Sequence, residues 1–447
     1  MKNLVKWIVF IITSLIFLYA FSDSYNLQNI DNLDYVIALG VDTIPDSKNL
    51  SISFEFANLS SFSENSSSKD TKPIVNTVEA PSISNAINTM NAYLGKQLNL
   101  SHCKVIVFSK DFAETGILKQ VSVIMHNTQI RPTTNIVVAE DNANLYLKNS
   151  VSSLEQVLTK YYDVFPTSSE YTGFTSDIPL GEFYESLLDP HIGTVAILGT
   201  KSKVSTKSQQ SSENEDSSQD ESSSKESGSS KEKGSSESSE KETKPNEDAV
   251  GDKKDKITES NSILEGDRGT ENVGLAVFRD DKYVGNLSAH DTLWYSLLKG
   301  EVDKFLVSIE DPFNKGEQID ITITSLSNVT FNVDVSEDIP KITVKFHLKG
   351  KSINDITDAS FDEAIDKLNT NLKQYLEDQI LKYLYKTSKE FNSDMEDFYR
   401  VARKHFLTLQ DFENYNWCEK YKDAEFSVEF NDKIVSNVLI EQNKQSF

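Results

Sequence analysis

The residue types that could perform chemistry are sparse in this chain, and their spacing argues against each reaction in turn. Six histidines stand at positions 102, 126, 191, 290, 347 and 405. They form no His-Glu-x-x-His run and no pair four apart, the spacing that sets two imidazoles on one helix face around zinc. His102 adjoins Cys103, which invites a thiolate–imidazole reading. The surrounding Leu-Ser-His-Cys-Lys-Val-Ile-Val-Phe reads as the approach to a strand, where adjacent side chains point to opposite faces. The two do not then form a dyad. Gly350-Lys351-Ser352 lies between a strand and a helix, where a phosphate loop would end. The first glycine of that motif falls on Lys345, and the connection lacks the glycines that wrap phosphate. No Gly-x-Ser-x-Gly elbow is present. The acidic stretch from Glu213 to Asp220 lacks calcium-loop spacing. Arg131, before Pro132, reads as a solvated edge charge, with a partner contact as the alternative. These residues predict no catalytic, cofactor-binding or metal site, and a protein that is not an enzyme.

The two cysteines, Cys103 and Cys418, make no Cys-x-x-Cys pair, which excludes a zinc knuckle or a thioredoxin-like redox motif. They read as separate small hydrophobes; one long-range disulfide stays open if the domain lies outside the cell. The chain has 447 residues, 38% hydrophobic and 10% aromatic, enough for two or three domains with large cores. A formal net charge of -24 argues against nucleic acid, which needs a basic footprint, and against broad docking on an anionic lipid surface.

What must position these residues begins with a membrane signal. Lys2 and Lys6 precede an apolar run from Trp7 to Phe21, and Asp23 follows. The run is about 15 residues, or about 22 Å of helix, against a hydrocarbon core of ~30 Å. Adding Leu4 and Val5, with Lys6 snorkelling, brings it to about 27 Å, which a thinned bilayer accommodates. Cleavage after Ala20 or Ser22 stays open as the alternative, but Leu18 and Tyr19 make that site untidy, so a retained anchor is favoured. The lysines keep the N-terminal end in the cytoplasm and place everything after residue 23 outside.

Between Lys201 and Glu240, 17 of 40 residues are serine, interleaved with Glu, Lys, Asp and Gly, so no core can offset the chain entropy. The expected organisation is an anchor or signal sequence over 1–23, a first domain over 24–200, a disordered linker over 201–268 and a second domain over 269–447. In the first domain, Asp34–Val41 and Leu50–Ala57 form a hairpin around Pro45-Asp46-Ser47, and Ser60–Lys72 is a polar loop. A helix is expected from Ser82, with Ile83, Ala86, Ile87, Met90 and Leu94 on one face. Lys104–Phe108 and Asn135–Ala139 are buried strands flanking one helix that starts at Asp111. This strand-helix-strand order predicts parallel pairing. Helices at Leu154–Tyr162 and Leu180–Leu188 follow. In the second domain, Gly274–Gly285 is a hairpin turning at Asp280-Asp281, and Ser288 with Asp291 is a capping box. Strands follow at Phe305–Ile309, Ile319–Thr324, Thr330–Val335 and Lys341–Leu348. Then come a long helix from Phe361, a helix over Asp394–His405 and a closing strand over Ala424–Phe430. The class is α+β: two to three mixed β-sheet domains, with helices on one face of the sheets.

In this order the elements resemble the Ger(x)C family, the C subunit of nutrient-germinant receptors of endospore-forming bacteria. Leu33–Asp42 (L-D-Y-V-I-A-L-G-V-D) is similar to its first strand, ending in Gly-x-Asp. Leu100–Phe108 resembles its Ser-His strand, Ile130–Ala139 (I-R-P-T-T-N-I-V-V-A) its Arg-containing edge, and Val273–Gly285 (V-G-L-A-V-F-R-D-D-K-Y-V-G) its most typical stretch. Family members carry a Cys-Trp-Asp after the signal sequence; Ser24-Tyr25-Asn26 stands in that place, and serine has no thiol to receive a lipid. No lipidation is therefore expected, and the apolar helix must anchor alone. The resemblance implies an extracytoplasmic subunit on the outer face of the spore inner membrane. It would act in receptor assembly and signal coupling with polytopic A-type and B-type subunits, and with no cofactor. The alternative is an anchored extracytoplasmic ligand-binding or envelope-scaffold protein.

Overall fold

Strand-period and helix-period stretches alternate through the first domain, and the backbone follows them closely. The computed structural model describes residues 2–22, 32–57, 74–150, 158–204, 265–266, 269–312, 316–352 and 361–435. Ser24, the whole expected 60–72 loop, positions 154–157 and nearly all of the 201–268 linker lie outside the described residues. The strands are β1 (Leu33–Thr43), β2 (Leu50–Phe56), β3 (Ile74–Ala80), β4 (Gln97–Asn99), β5 (Val105–Ser109), β6 (Asn135–Ala139), β7 (Thr194–Lys201), β8 (Lys203–Val204), β9 (Glu265–Gly266), β10 (Thr270–Arg279) and β11 (Lys282–Leu287). Nine of them form one sheet in the order β11-β10-β7-β6-β5-β1-β2-β3, with β4 beside β1.

The centre of that sheet is parallel: β1 pairs with β5, β5 with β6 and β6 with β7, as the strand-helix-strand order requires. Every residue of β5 and β6 is buried. Alternate side chains face opposite ways, so both faces are covered. This corrects the expectation of helices on one face only, and the reason is the crossovers that parallel pairing imposes. The Gly-x-Asp at the end of β1 seats the helix Ala143–Asn149. The Ala143 N–H donates to Asp42 Oδ1 at 2.7 Å and the Asn144 N–H to Oδ2 at 3.1 Å. That satisfies two orphan donors of the helix N-terminus.

The expected single helix from Asp111 is two helices, Lys110–Glu114 and Leu118–Met125. Gly116 breaks it at φ 101°, a conformation open to glycine. The second helix is started by the tip of a distant hairpin: Ile117 N–H donates to Asp281 O at 3.0 Å and Leu118 N–H to Asp281 Oδ2 at 3.3 Å. That hairpin, β10–β11, follows the insert in sequence. It nevertheless belongs to the first sheet, because β10 pairs antiparallel with β7 from Thr270↔Lys201 to Phe278↔Thr194.

After the capped helix Ala289–Lys299 come β12 (Lys304–Glu310), β13 (Gln318–Ser325), β14 (Thr330–Asp334), β15 (Lys341–Phe346), β16 (Leu348–Ser352) and β17 (Glu425–Phe430). They form two three-stranded sheets, β12-β13-β16 and β14-β15-β17. The strand expected over Lys341–Leu348 divides at His347, sending β15 and β16 to different sheets. The helix Phe361–Tyr385 buries Ile365, Leu368, Leu372, Leu376, Ile380 and Tyr383, with Tyr375 and Gln379 half-buried at the margin. One apolar core runs through both regions.

The N-terminal helix spans Lys2–Ser22, and Leu4, Trp7, Phe10, Ile12 and Phe17 on it are exposed. Its side chains at 2, 9 and 18–22 lie outside the described residues. Among the described residues no helix is long and apolar enough to cross a membrane.

The insert leaves the body through a two-residue parallel pair, Lys203↔Glu265 and Val204↔Gly266. Its ends are therefore neighbours, and a few residues can join them. Deleting 209–260 should leave the melting temperature of the chain unchanged. A drop of more than about 4 °C would show that the deleted segment is packed.

Candidate functional site

The residues that the sequence singles out for chemistry do not converge. His102 lies in a turn and not in the expected strand, which starts only at Val105; it is exposed, its ring edge-on to Tyr35 at 5.0 Å. Cys103 is buried, its thiol donating to Val105 O at 3.5 Å, and burial pushes it up to about 12, far from a thiolate. Lys351 lies within β16, opposite Thr322 of β13, so the segment is a strand and not a phosphate loop. Arg131 is exposed beside a cleft of about 240 Å³ that also includes Lys104, Asp163 and Asp177. Both cysteines are free.

What the fold does assemble is a polar joint between the first sheet and the C-terminal region. A π-helical turn, Lys386–Phe391, ends the long helix, and Asn392-Ser393-Asp394-Met395-Glu396-Asp397 crosses to the first sheet. The sequence predicts a helix from Asp394; the helix begins only at Phe398. The cause lies in the side chains. Asn392 and Asp397 adopt left-handed backbone, φ 48° and 60°, which Asn and Asp tolerate best after glycine. Asp394 accepts the N–H groups of Phe398 at 3.0 Å and Tyr399 at 2.8 Å, and the indole N–H of Trp417 at 3.1 Å. It thus heads the helix instead of lying in it.

The joint is closed by backbone. Gly193 N–H donates to Asp394 O at 2.7 Å, and the Ser393 hydroxyl donates to Phe278 O at 2.9 Å. A Cβ on Gly193 would overlap the Ser393 hydroxyl and lie 2.9 Å from Met395 Cγ. Charged groups then line it. Lys299 Nζ meets Asp397 Oδ2 at 3.0 Å and Lys386 Nζ meets Asp291 Oδ2 at 2.8 Å. Tyr399 OH donates to Asp189 Oδ2 at 2.6 Å. The His191 ring stacks on Tyr399 at 5.5 Å. Burial alone would raise Asp189, but the Tyr399 hydroxyl and the His191 N–H groups hold it below the usual carboxylate range. Two open, polar crevices of about 330 and 340 Å³ flank the contact, at the lower limit for a ligand site. Among the described residues no group of three or more His, Cys, Asp or Glu is placed to hold a metal ion.

Two glutamates are fully enclosed. Tyr383 OH donates to Glu396, and Tyr162 OH donates to Glu55 Oε2 at 2.8 Å. Desolvation raises each from an ordinary 4.5 to about 8. A carboxyl whose native value is raised binds its proton more tightly when folded. Its contribution is therefore fully present below about 4.5 and is lost as pH climbs to about 8. The melting temperature should rise as pH falls from about 8 to about 5, and Glu55→Gln, which keeps the Tyr162 bond, should flatten that slope. A melting temperature that falls over the same window would mean both groups are ionised in the folded chain.

The sequence model described as the spore germination protein N-terminal domain matches residues 26–201, and the one described as spore germination B3/GerAC like, C-terminal, matches residues 273–437. No curated protein matches the chain. Among solved structures, the crystal structure of the GerBC protein is similar at a TM-score of 0.49 and 12% identity, covering 89% of this chain and 97% of that one.

Proposed function

The chain belongs to the Ger(x)C family of spore germination proteins, and from that premise we propose that it is the C subunit of a nutrient-germinant receptor. It sits on the outer face of the spore inner membrane and works in receptor assembly and signal coupling. The observation that carries this reading is the pair of family matches, one on each side of the insert. The joint supports it in kind. Its hydrogen bonds and ion pairs tie two regions together, an arrangement suited to transmitting position. Polytopic A-type and B-type subunits are the partners. Purifying the tagged chain from spore membranes should bring both with it. Recovery of the intact chain alone would overturn the assignment and favour an envelope scaffold.

The anchor reading rests on the apolar run from Trp7 to Phe21 in the sequence, which the helix Lys2–Ser22 carries. With Ser24 in the lipid-bearing place, the mature protein should keep its N-terminus, stay in the membrane fraction and incorporate no labelled fatty acid. Intact mass reads this directly. Soluble protein beginning after Ala20 or Ser22 would overturn it.

A further inference from the structure

The turn between the helix Phe398–Ala402 and the helix Leu409–Tyr415 reads Arg403-Lys404-His405-Phe406-Leu407-Thr408. Leu407 is 100% exposed and Leu409 54%, yet the turn is braced from behind. The Phe406 ring lies 5.5 Å from Phe412 and 5.2 Å from Tyr415, and the Thr408 hydroxyl accepts the Asp411 N–H at 3.1 Å. The leucines are held outward by a fixed frame. Arg403, Lys404 and His405 are exposed beside them, and neither Arg403 nor Lys404 has an ion pair among the described residues. Of the nearby acidic groups, Asp338 pairs with Lys420 at 2.6 Å, Glu337 with Lys341 at 2.9 Å and Glu413 with His191 at 3.7 Å, Asp411 accepts the Thr408 hydroxyl at 2.7 Å, and His405 acts electrostatically on Asp334. In a chain of net charge -24, Arg403 and Lys404 stand beside a fully exposed leucine without an ion pair among the described residues.

We propose that this turn docks on an anionic lipid surface. Leu407 and Leu409 enter the acyl boundary, and Arg403 and Lys404 meet headgroup phosphates. This rests on the reading of the chain as a membrane-held ectodomain. Basic side chains with apolar neighbours suit the interface, where the leucines lose water and the cations keep it. Each cation near an anionic leaflet tightens binding about fivefold. That is weak alone, but a tethered chain presents the turn at high effective concentration. Two protruding leucines rimmed by cations do not form the broad apolar patch that a protein partner would cover.

The test places an environment-sensitive fluorophore at Leu407→Cys in the full chain carrying Cys418→Ser; Cys103 is buried and does not label. The chain is reconstituted in vesicles of phosphatidylcholine alone or with phosphatidylglycerol. A blue shift should appear only in the anionic vesicles and reverse in raised salt. The double change Arg403→Ala and Lys404→Ala should lower the shifted fraction by about tenfold or more. An unshifted label on a chain that co-sediments with anionic vesicles overturns the proposal. So does a shift seen only on adding detergent-solubilised spore membrane proteins, which would make the turn a protein contact. If the chain fails to stay in neutral vesicles, the anchor reading falls instead. The turn is then read from salt-sensitive sedimentation with anionic vesicles, where no binding overturns it.

Discussion

Replacing Ile106 with aspartate should abolish nutrient-triggered germination and remove the partner subunits from the membrane. Ile106 is fully buried in β5 between Leu39 of β1 and Ile136 of β6. Both faces of that strand are covered, so the new carboxylate reaches neither water nor a cation. The cost is several kcal/mol against a typical stability of ~5–15 kcal/mol. Optical-density loss of purified spores with nutrient measures the response, and germination by agents that bypass nutrient receptors should persist. His102→Ala and Lys351→Ala supply the contrast, because the His102 ring is exposed beside Tyr35 and Lys351 lies in a strand. Both should germinate nearly normally. Loss of germination in a folded, normally assembled His102→Ala receptor would defeat the packing account and give that histidine a chemical or binding role.

Gly193→Val should damage signalling more than it damages folding. The added methyl groups collide with Ser393 and Met395 and open the Gly193 to Asp394 bond. Overpacking of this kind costs about 1–3 kcal/mol, a shift in melting temperature of about 2–6 °C. Each sheet keeps its own pairing, so circular dichroism should be unchanged while the nutrient response falls. The matched control is Met90→Ala, buried in the helix Ile83–Leu94 of the first region. It should destabilise by about 2–5 kcal/mol, more than Gly193→Val, yet leave the response largely intact. Equal losses of response at equal losses of stability would mean that the joint carries no special coupling.

The elements legible in the sequence are those whose information is local. The helix Ile83–Leu94 follows from five apolar positions and Ser82, whose hydroxyl accepts the Asn85 N–H. The capping box of Ser288 and Asp291 and the turn at Asp280, φ 55°, are read the same way. What escaped depends on partners far along the chain. The strands β3, β4 and β7 carry no local signal that marks them. β3 and β4 have short or mixed patterns, and all three are fixed by neighbours: β3 by β2, β4 by β1, and β7 by β6 and β10. The break at Gly116 needs Asp281, a residue of another hairpin.

The joint departs from its local propensity for a related reason. Asp394, Met395 and Glu396 fit a helix by propensity, but Asp394 is bound by Trp417 and by the backbone it caps. The one local signal was Asn392 followed by Ser393 and Asp394, a cluster that favours turns.

The pairing of β7 with β10 also sets an order of events as the chain is made. β7 is buried at seven of its eight positions, and its outer edge is covered only by a strand that begins at Thr270. Until the hairpin ending at Leu287 has been synthesised, the first sheet presents a long apolar edge to any other chain, the kind of template on which aggregates grow. Lengthening the serine-rich insert adds little closure entropy, because that grows only with the logarithm of length. It adds waiting time in proportion to length. The insert's charge and lack of apolar residues would keep the neighbourhood of that edge solvated during the wait. A fragment stopped at residue 201, where the first family match ends, would keep the edge uncovered. One stopped after residue 288 would close it.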